Sequence, residues 1–222
     1  MVNIFLTAFT GETKYIMQPI SIRGLYAITP ETLDDIELFD KVSAVLRGGA
    51  QVIQYRDKTN DAQTQLRRAR RLRMLCLEYN ALLIVNDSVP LCLDCDADGV
   101  HLGRNDAALN ATRRTLGDKK IIGVSCYNRL QFAVQAEANG ASYVAFGRFF
   151  DSVTKPNAVR APISLLADAK DKLTIPIVAI GGITLDNGAD LVAAGADALA
   201  VINGLFSQAN IDDAAQAFTQ MF

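Results

Sequence analysis

Gly49-Ala50-Gln51-Val52-Ile53-Gln54-Tyr55-Arg56-Asp57-Lys58 passes from small residues that end a helix, through a tight turn, into a strand-forming run and out into polar groups. Gly49-Ala50-Gln51-Val52 has counterparts in Ala97-Asp98-Gly99-Val100, Gly140-Ala141-Ser142-Tyr143 and Gly195-Ala196-Asp197-Ala198. Recurrence of one unit predicts a modular architecture. Working outward, short β-branched runs predict strands over 24–28, 52–55, 82–85, 99–101, 121–125, 143–146, 177–179 and 198–202. Amphipathic stretches at 39–47, 62–79, 131–139 and 187–194 predict intervening helices, and the crowding of the middle strands requires one short connection. Eight strands alternating with helices predict an α/β protein, a (β/α)₈ barrel, rather than an open doubly wound sheet.

The chain has 222 residues, enough for one such domain, and no Pro- or Ser-rich linker divides it. Residues 1–19 are expected to form an N-terminal extension, with the barrel over 20–222. That opening segment lacks the positive start and the long apolar run of a signal peptide or membrane span. The net charge of −2 gives no basic stripe for nucleic acid. Arg67, Arg68, Arg70, Arg71 and Arg73 alternate with apolar residues at helical spacing and are expected on a solvated helix face. Four cysteines include a Cys92-x-x-Cys95 pair with no second pair to complete a zinc site, so core packing is expected. Without a disulfide framework, a reducing cytoplasm is the natural setting.

Polar residues just beyond strands carry the functional reading, because strand C-termini face the active site of such barrels. Gln54, Arg56 and Lys58 alternate along an extended backbone and are expected on one side, as a site for a polyanion. A surface loop salt-bridged to Asp57 is the competing reading. Asn86-Asp87 and Asp106 follow two further strands; the two carboxylates read equally well as helix caps or as ligands for a hard cation such as Mg²⁺. Ser125, the loop 147–160 with Ser152, Thr154 and Lys155, and Ile180-Gly181-Gly182-Ile183 complete the set. The glycines would bring backbone N–H groups to a phosphate at a helix N-terminus. His101, in Val100-His101-Leu102, is expected to be packed rather than to act as a base. The cluster is rich in phosphate and metal ligands and poor in general bases, which favours departure of a metal-bound diphosphate over hydrolysis.

Gly24-Leu25-Tyr26-Ala27-Ile28-Thr29, Gln54-Tyr55-Arg56-Asp57-Lys58, Asn86-Asp87, Ala97-Asp98-Gly99-Val100-His101-Leu102-Gly103, Gly123-Val124-Ser125, Thr154-Lys155 and Ala179-Ile180-Gly181-Gly182-Ile183 occur in that order at strand ends. Over 24–205 this pattern resembles thiamine-phosphate synthases. The resemblance implies a single-domain TIM barrel, a cytoplasmic transferase of thiamine biosynthesis. It would join hydroxymethylpyrimidine diphosphate to hydroxyethylthiazole phosphate with release of pyrophosphate. It implies that Gln54, Arg56, Lys58, Asn86, Ser125 and Lys155 contact the pyrimidine diphosphate and that Asp87 and Asp106 ligate Mg²⁺. Ser152, Thr154 and the backbone at Gly182, Ile202 and Asn203 would hold the thiazole phosphate or departing pyrophosphate. Arg56, Lys58, Ser125 and Lys155 would carry catalysis. Partners would be these small molecules, with homo-oligomerisation left open.

Three positions depart from the family pattern: Arg148 stands where Pro is usual, Asn203 where Ser is usual and Ser152 where Thr is more usual. A related thiazole tautomerase would carry a histidine after the Gly-Val-Ser strand, whereas this chain continues Cys126-Tyr127-Asn128. A catalytically silent phosphate-binding barrel is the reading from a different class.

Overall fold

The computed structural model describes residues 22–31, 33–103, 106–151 and 159–222, with 106–108 described by backbone alone. The first half of the chain runs β1 (Gly24–Ile28), α1 (Asp35–Arg47), β2 (Val52–Tyr55), α2 (Ala62–Glu78), β3 (Leu82–Asn86), α3 (Val89–Asp94), β4 (Gly99–Leu102) and α4 (Asp106–Leu116). The second half runs β5 (Ile121–Tyr127), α5 (Leu130–Ala138), β6 (Tyr143–Phe146), α6 (Ser164–Lys170), β7 (Ile177–Ile180), α7 (Gly188–Ala193), β8 (Ala198–Val201), α8 (Asn203–Phe206) and α9 (Ile211–Thr219). All eight strands are parallel to their neighbours and the sheet closes, β1 pairing with β8 from Gly24↔Ala198 to Ala27↔Val201. The expected barrel is present, its short connection is the six-residue α3, and the expected extension 1–19 lies outside the described residues.

Five helices, α1, α2, α3, α5 and α7, are stopped by the same local chemistry. Gly49, Asn80, Asp96, Gly140 and Gly195 all adopt positive φ just past a helix. An alanine follows each, and its N–H donates to the carbonyl five residues back: Ala50 to Val45, Ala81 to Cys76, Ala97 to Cys92, Ala141 to Ala136 and Ala196 to Leu191. This is the Schellman stop. The structural counterpart of Gly49-Ala50 in the third copy is therefore Asp96-Ala97, one residue earlier than the expected register. The copy at Asn80-Ala81 escapes a search for glycine, since Asn also tolerates the left-handed backbone. The next residue stitches into the preceding strand: the Asp98, Ser142 and Asp197 side chains accept from the N–H groups of Leu83, Ile122 and Ile177.

The arginine run of α2 is only in part the expected solvated face, since Arg68 and Arg73 turn inward. Arg68 is buried against Asp35, at 2.7 Å, and Asp57. Arg73 reaches Asp98 at 2.7 Å, both side chains nearly enclosed. Arg67, Arg70 and Arg71 keep the expected exposure, Arg67 bonding Asp35, Arg70 the Asp94 carbonyl and Arg71 lying over the Phe39 ring. A barrel helix has a helix on each flank, so long cationic side chains beside its apolar stripe fasten it sideways.

Two apolar layers result: one between strands and helices, the other inside the barrel around Tyr26, Ile28, Val52, Ile84, Tyr143 and Val178. Cys92 and Cys95 are packed as expected, and burial pushes the thiols of Cys76 and Cys92 up to about 12, opposite to what metal binding or redox work requires. Among the described residues no helix is long and apolar enough to cross a membrane.

Asp98→Ala leaves Arg73 buried without its partner and removes the cap on Leu83 N–H. It should lower unfolding stability by about 3–5 kcal/mol, as a reduced urea midpoint, whereas Asp98→Asn retains an acceptor for Leu83 and should cost less.

Candidate active site

A cavity of about 320 Å³ opens at the C-terminal ends of the strands. Its buried end is polar. Gln54 Nε2 donates to Tyr26 Oη at 2.8 Å, Tyr26 and Tyr143 share a 2.7 Å hydroxyl contact, and His101 bridges Tyr143 Oη and Ser125 Oγ through Nδ1 and Nε2, each at 2.9 Å. His101 is buried, as expected, yet it lines the cavity. Burial drives both phenols well above their ordinary pKa, so they stay protonated at neutral pH. Gly123 makes the arrangement possible: a Cβ there would lie 2.0 Å from Cζ of Tyr143. Sequence reading missed Tyr26 and Tyr143; the available signal was a tyrosine opening a strand beside one that carries a glycine.

One wall comes from the ends of β2 and β3. Thr29 Oγ1 accepts from Arg56 N–H and donates to the Arg56 carbonyl, fixing the backbone that carries the guanidinium. Arg56 and Glu31 form an ion pair at 2.6 Å; Glu31 was not anticipated. Gln54, Arg56 and Asn86 line the cavity, but Lys58 does not share their side as expected. The strand ends at Tyr55, the chain bends, and Lys58 stands half-exposed at 3.2 Å from Asp87. Asp87 is held at φ 61° with its N–H on the His101 carbonyl and its carboxylate accepting from Asn86 Nδ2. A non-glycine residue in that conformation carries strain of a kind common at functional sites.

The opposite wall is backbone. Gly181 and Gly182 have positive φ, and a Cβ on either would overlap the chain at 148–151. The helix N-terminus expected next to this turn is displaced: α7 begins only at Gly188, after a turn closed by Asn187. Asn203 and Gly204 line the cavity instead, as α8 starts immediately after Ile202. Gly204, also unanticipated, packs so closely that a Cβ would lie 2.1 Å from the Ile183 carbonyl oxygen. Arg148 lines this wall and pairs with Asp151. Of the expected residues, Gln54, Arg56, Asn86, Ser125, Gly182, Ile202 and Asn203 therefore meet in one cavity. Asp106 opens α4 by its backbone, and its carboxylate, with Ser152, Thr154 and Lys155, lies outside the described residues.

A family model described as thiamine monophosphate synthase matches residues 25–205. The chain belongs to the thiamine monophosphate synthase family. It is 52% identical over 204 residues to a thiamine-phosphate synthase of Chromobacterium violaceum, covering 92% of this chain and 98% of the relative. A thiamine-phosphate synthase of Nitrosospira multiformis is 50% identical over 201 residues, 90% of this chain and 86% of the relative. Among solved structures, a thiamine phosphate pyrophosphorylase from Pyrococcus furiosus superposes with a TM-score of 0.80 at 32% identity, covering 89% of this chain and 94% of that one. A 3-hexulose-6-phosphate synthase at 13% identity and a TM-score of 0.66, covering 90% of this chain and 99% of that one, shares the fold.

In this member of the thiamine monophosphate synthase family, Asp57 does not bond the neighbouring cations, contrary to the surface-loop reading. Its carboxylate is almost wholly buried, takes N–H or O–H donors from Tyr55, Thr59 and Asn60, and stands 3.5 Å from Arg68. It shapes the loop from which Lys58 projects. Burial works to raise its pKa, but donation from Asn60, Tyr55 and Thr59 outweighs this and holds the carboxyl below the usual range. A depressed native value stabilises the fold above the unfolded carboxyl pKa of about 3.9, and that contribution is lost as pH falls through the native value. Asp57→Asn should be less stable than the parent at neutral pH by about 1–3 kcal/mol. Urea unfolding at pH 7 and pH 3 should show the difference narrowing in acid.

Proposed function

We propose that the cavity joins 4-amino-2-methyl-5-hydroxymethylpyrimidine diphosphate to 4-methyl-5-(2-hydroxyethyl)thiazole phosphate, giving thiamine phosphate and pyrophosphate. The observation that carries this reading is the meeting of Arg56, Asn86 and Ser125 with the Gly181-Gly182 and Asn203-Gly204 backbone across one cavity. A guanidinium and amide on one side and close-approach glycines on the other suit two phosphorylated groups held face to face.

In this reading Gln54, Asn86 and Ser125 orient the pyrimidine, while Arg56, Lys58 and Lys155 hold the diphosphate. The bond from the methylene carbon to the diphosphate oxygen breaks with its electron pair leaving on pyrophosphate. The electron-rich aminopyrimidine carries the cationic methylene, and the thiazole nitrogen lone pair forms the new C–N bond. Charge preorganised on the departing oxygens is worth several kcal/mol per well-placed group. Ser152, Thr154, Gly182, Ile202 and Asn203 would hold the second phosphate, with Arg148 adding charge to that wall. Asp87 fits a hard cation in one respect: it is a half-exposed carboxylate fixed at the mouth by its own strained backbone. Asp87, with Asp106 at the start of α4, would hold Mg²⁺, which when bound supplies charge neutralisation to the diphosphate. Four buried free thiols suit a reducing compartment, and we place the enzyme in the cytoplasm.

The isomerase alternative is disfavoured because the only histidine, His101, is tied into the cavity floor rather than following β5. Pyrophosphate release should require Mg²⁺ and both substrates. Arg56→Ala and Lys155→Ala should each cut turnover by roughly two orders of magnitude or more with unchanged circular dichroism. Release without the thiazole phosphate, or near-parent turnover in either variant, would sink the assignment.

A further inference from the structure

We infer that Gln54, Tyr26, Tyr143 and His101 form a one-directional hydrogen-bond chain that makes Ser125 accept from His101 and so turns the Ser125 hydroxyl proton into the cavity. The links measure 2.8, 2.7, 2.9 and 2.9 Å and draw one residue from each of five strands, β2, β1, β6, β4 and β5.

Counting protons gives one direction in which both phenol protons are used within the chain. The Gln54 amide nitrogen is purely a donor, so Tyr26 Oη accepts from it. Tyr26 then has one proton, and Tyr143 Oη is the acceptor for it within the chain. Tyr143 has one proton, and it goes to His101 Nδ1. A neutral imidazole that accepts at Nδ1 carries its proton at Nε2, where Ser125 Oγ is the partner. Ser125 thus spends a lone pair on His101 and keeps its own proton for a ligand acceptor, a ring nitrogen or a phosphate oxygen. The opposite polarity would leave the Tyr26 proton with no acceptor in the chain, turned toward the cavity that Tyr26 also lines, or would need the Gln54 carbonyl oxygen on Tyr26, and it would point the Ser125 hydroxyl down at His101. The chain is enclosed, where such bonds reinforce one another, and the ring of Tyr143 occupies space that only Gly123 leaves open. Tyr26, Tyr143 and His101 are accordingly positioning residues. Their consequence for turnover rests on the proposed function, in which Ser125 meets the pyrimidine; the direction of the chain does not.

A single histidine makes the test direct. In protein labelled with ¹⁵N-histidine at neutral pH, long-range ¹H–¹⁵N spectra should show a protonated Nε2 and an unprotonated Nδ1. A dominant Nδ1–H tautomer, or a rapid mixture of the two, would overturn the inference whether or not any variant folds. Tyr143→Phe removes the donor to Nδ1. The tautomer preference should weaken and kcat should fall roughly tenfold, with KM for the thiazole phosphate unchanged. Parent-like spectra and kcat in this variant would also overturn it. If the parent protein shows the Nε2–H tautomer but no pyrophosphate release, the proposed function fails and the chain stands. Release accompanied by the Nδ1–H tautomer means the reverse.

Discussion

Closure of the parallel ladder between β1 and β8 governs the rest of the molecule. A closed sheet has no edge to protect, so each strand's backbone is paired on both sides by its neighbours. It also encloses an interior that must be filled by whatever the strands turn inward. On β7 and β8 the inward residues are small or short, Val178, Ala198 and Ala200, and the bulk comes from Tyr26 and Tyr143 reaching across. Because a phenol cannot be buried without a partner for its hydroxyl, filling the barrel with tyrosine obliges a polar chain. The cavity floor is where that chain meets the open end.

The two ends of the barrel use different materials. At the N-terminal ends of the strands, left-handed residues and alanines repeat with little variation, and Asp98, Ser142 and Asp197 pin one strand to the next. At the C-terminal ends the described parts of the loops share no such repeat. There the cations carry their own counter-ions: Arg56 with Glu31, Lys58 with Asp87, Arg148 with Asp151. At these three described cations an incoming polyanion competes with carboxylates, which favours ligands whose geometry matches the forks over those that merely carry charge.

Much of the strand pattern was legible because β-branched runs in a buried sheet have few other uses. Strand ends ran a residue or two further than expected at Asn86, Leu102 and Tyr127, since the neighbouring strand continues the ladder whatever the local residue prefers. The one-residue error at Asp96 came from taking the small residue Ala97 as the helix stop where an aspartate makes the left-handed turn. The burial of Arg68 and Arg73 was not legible, because helical spacing shows which residues share a face but not which neighbours that face meets. Lys58 was misplaced for a related reason: alternation describes strand backbone, and Asp57 ends it by capping its own loop. Tyr26 and Tyr143 are 117 residues apart, and nothing local to either indicates that they touch.

Gly123 and Tyr143 divide a single volume between two adjacent strands, one giving up a side chain and the other supplying a ring. Neither residue is then free to drift by itself. Enlarging position 123 displaces the ring, and shrinking position 143 opens a void beside the histidine. Across descendants of this chain the two positions should be inherited as a pair, so that a change at one marks lineages in which the other has already changed.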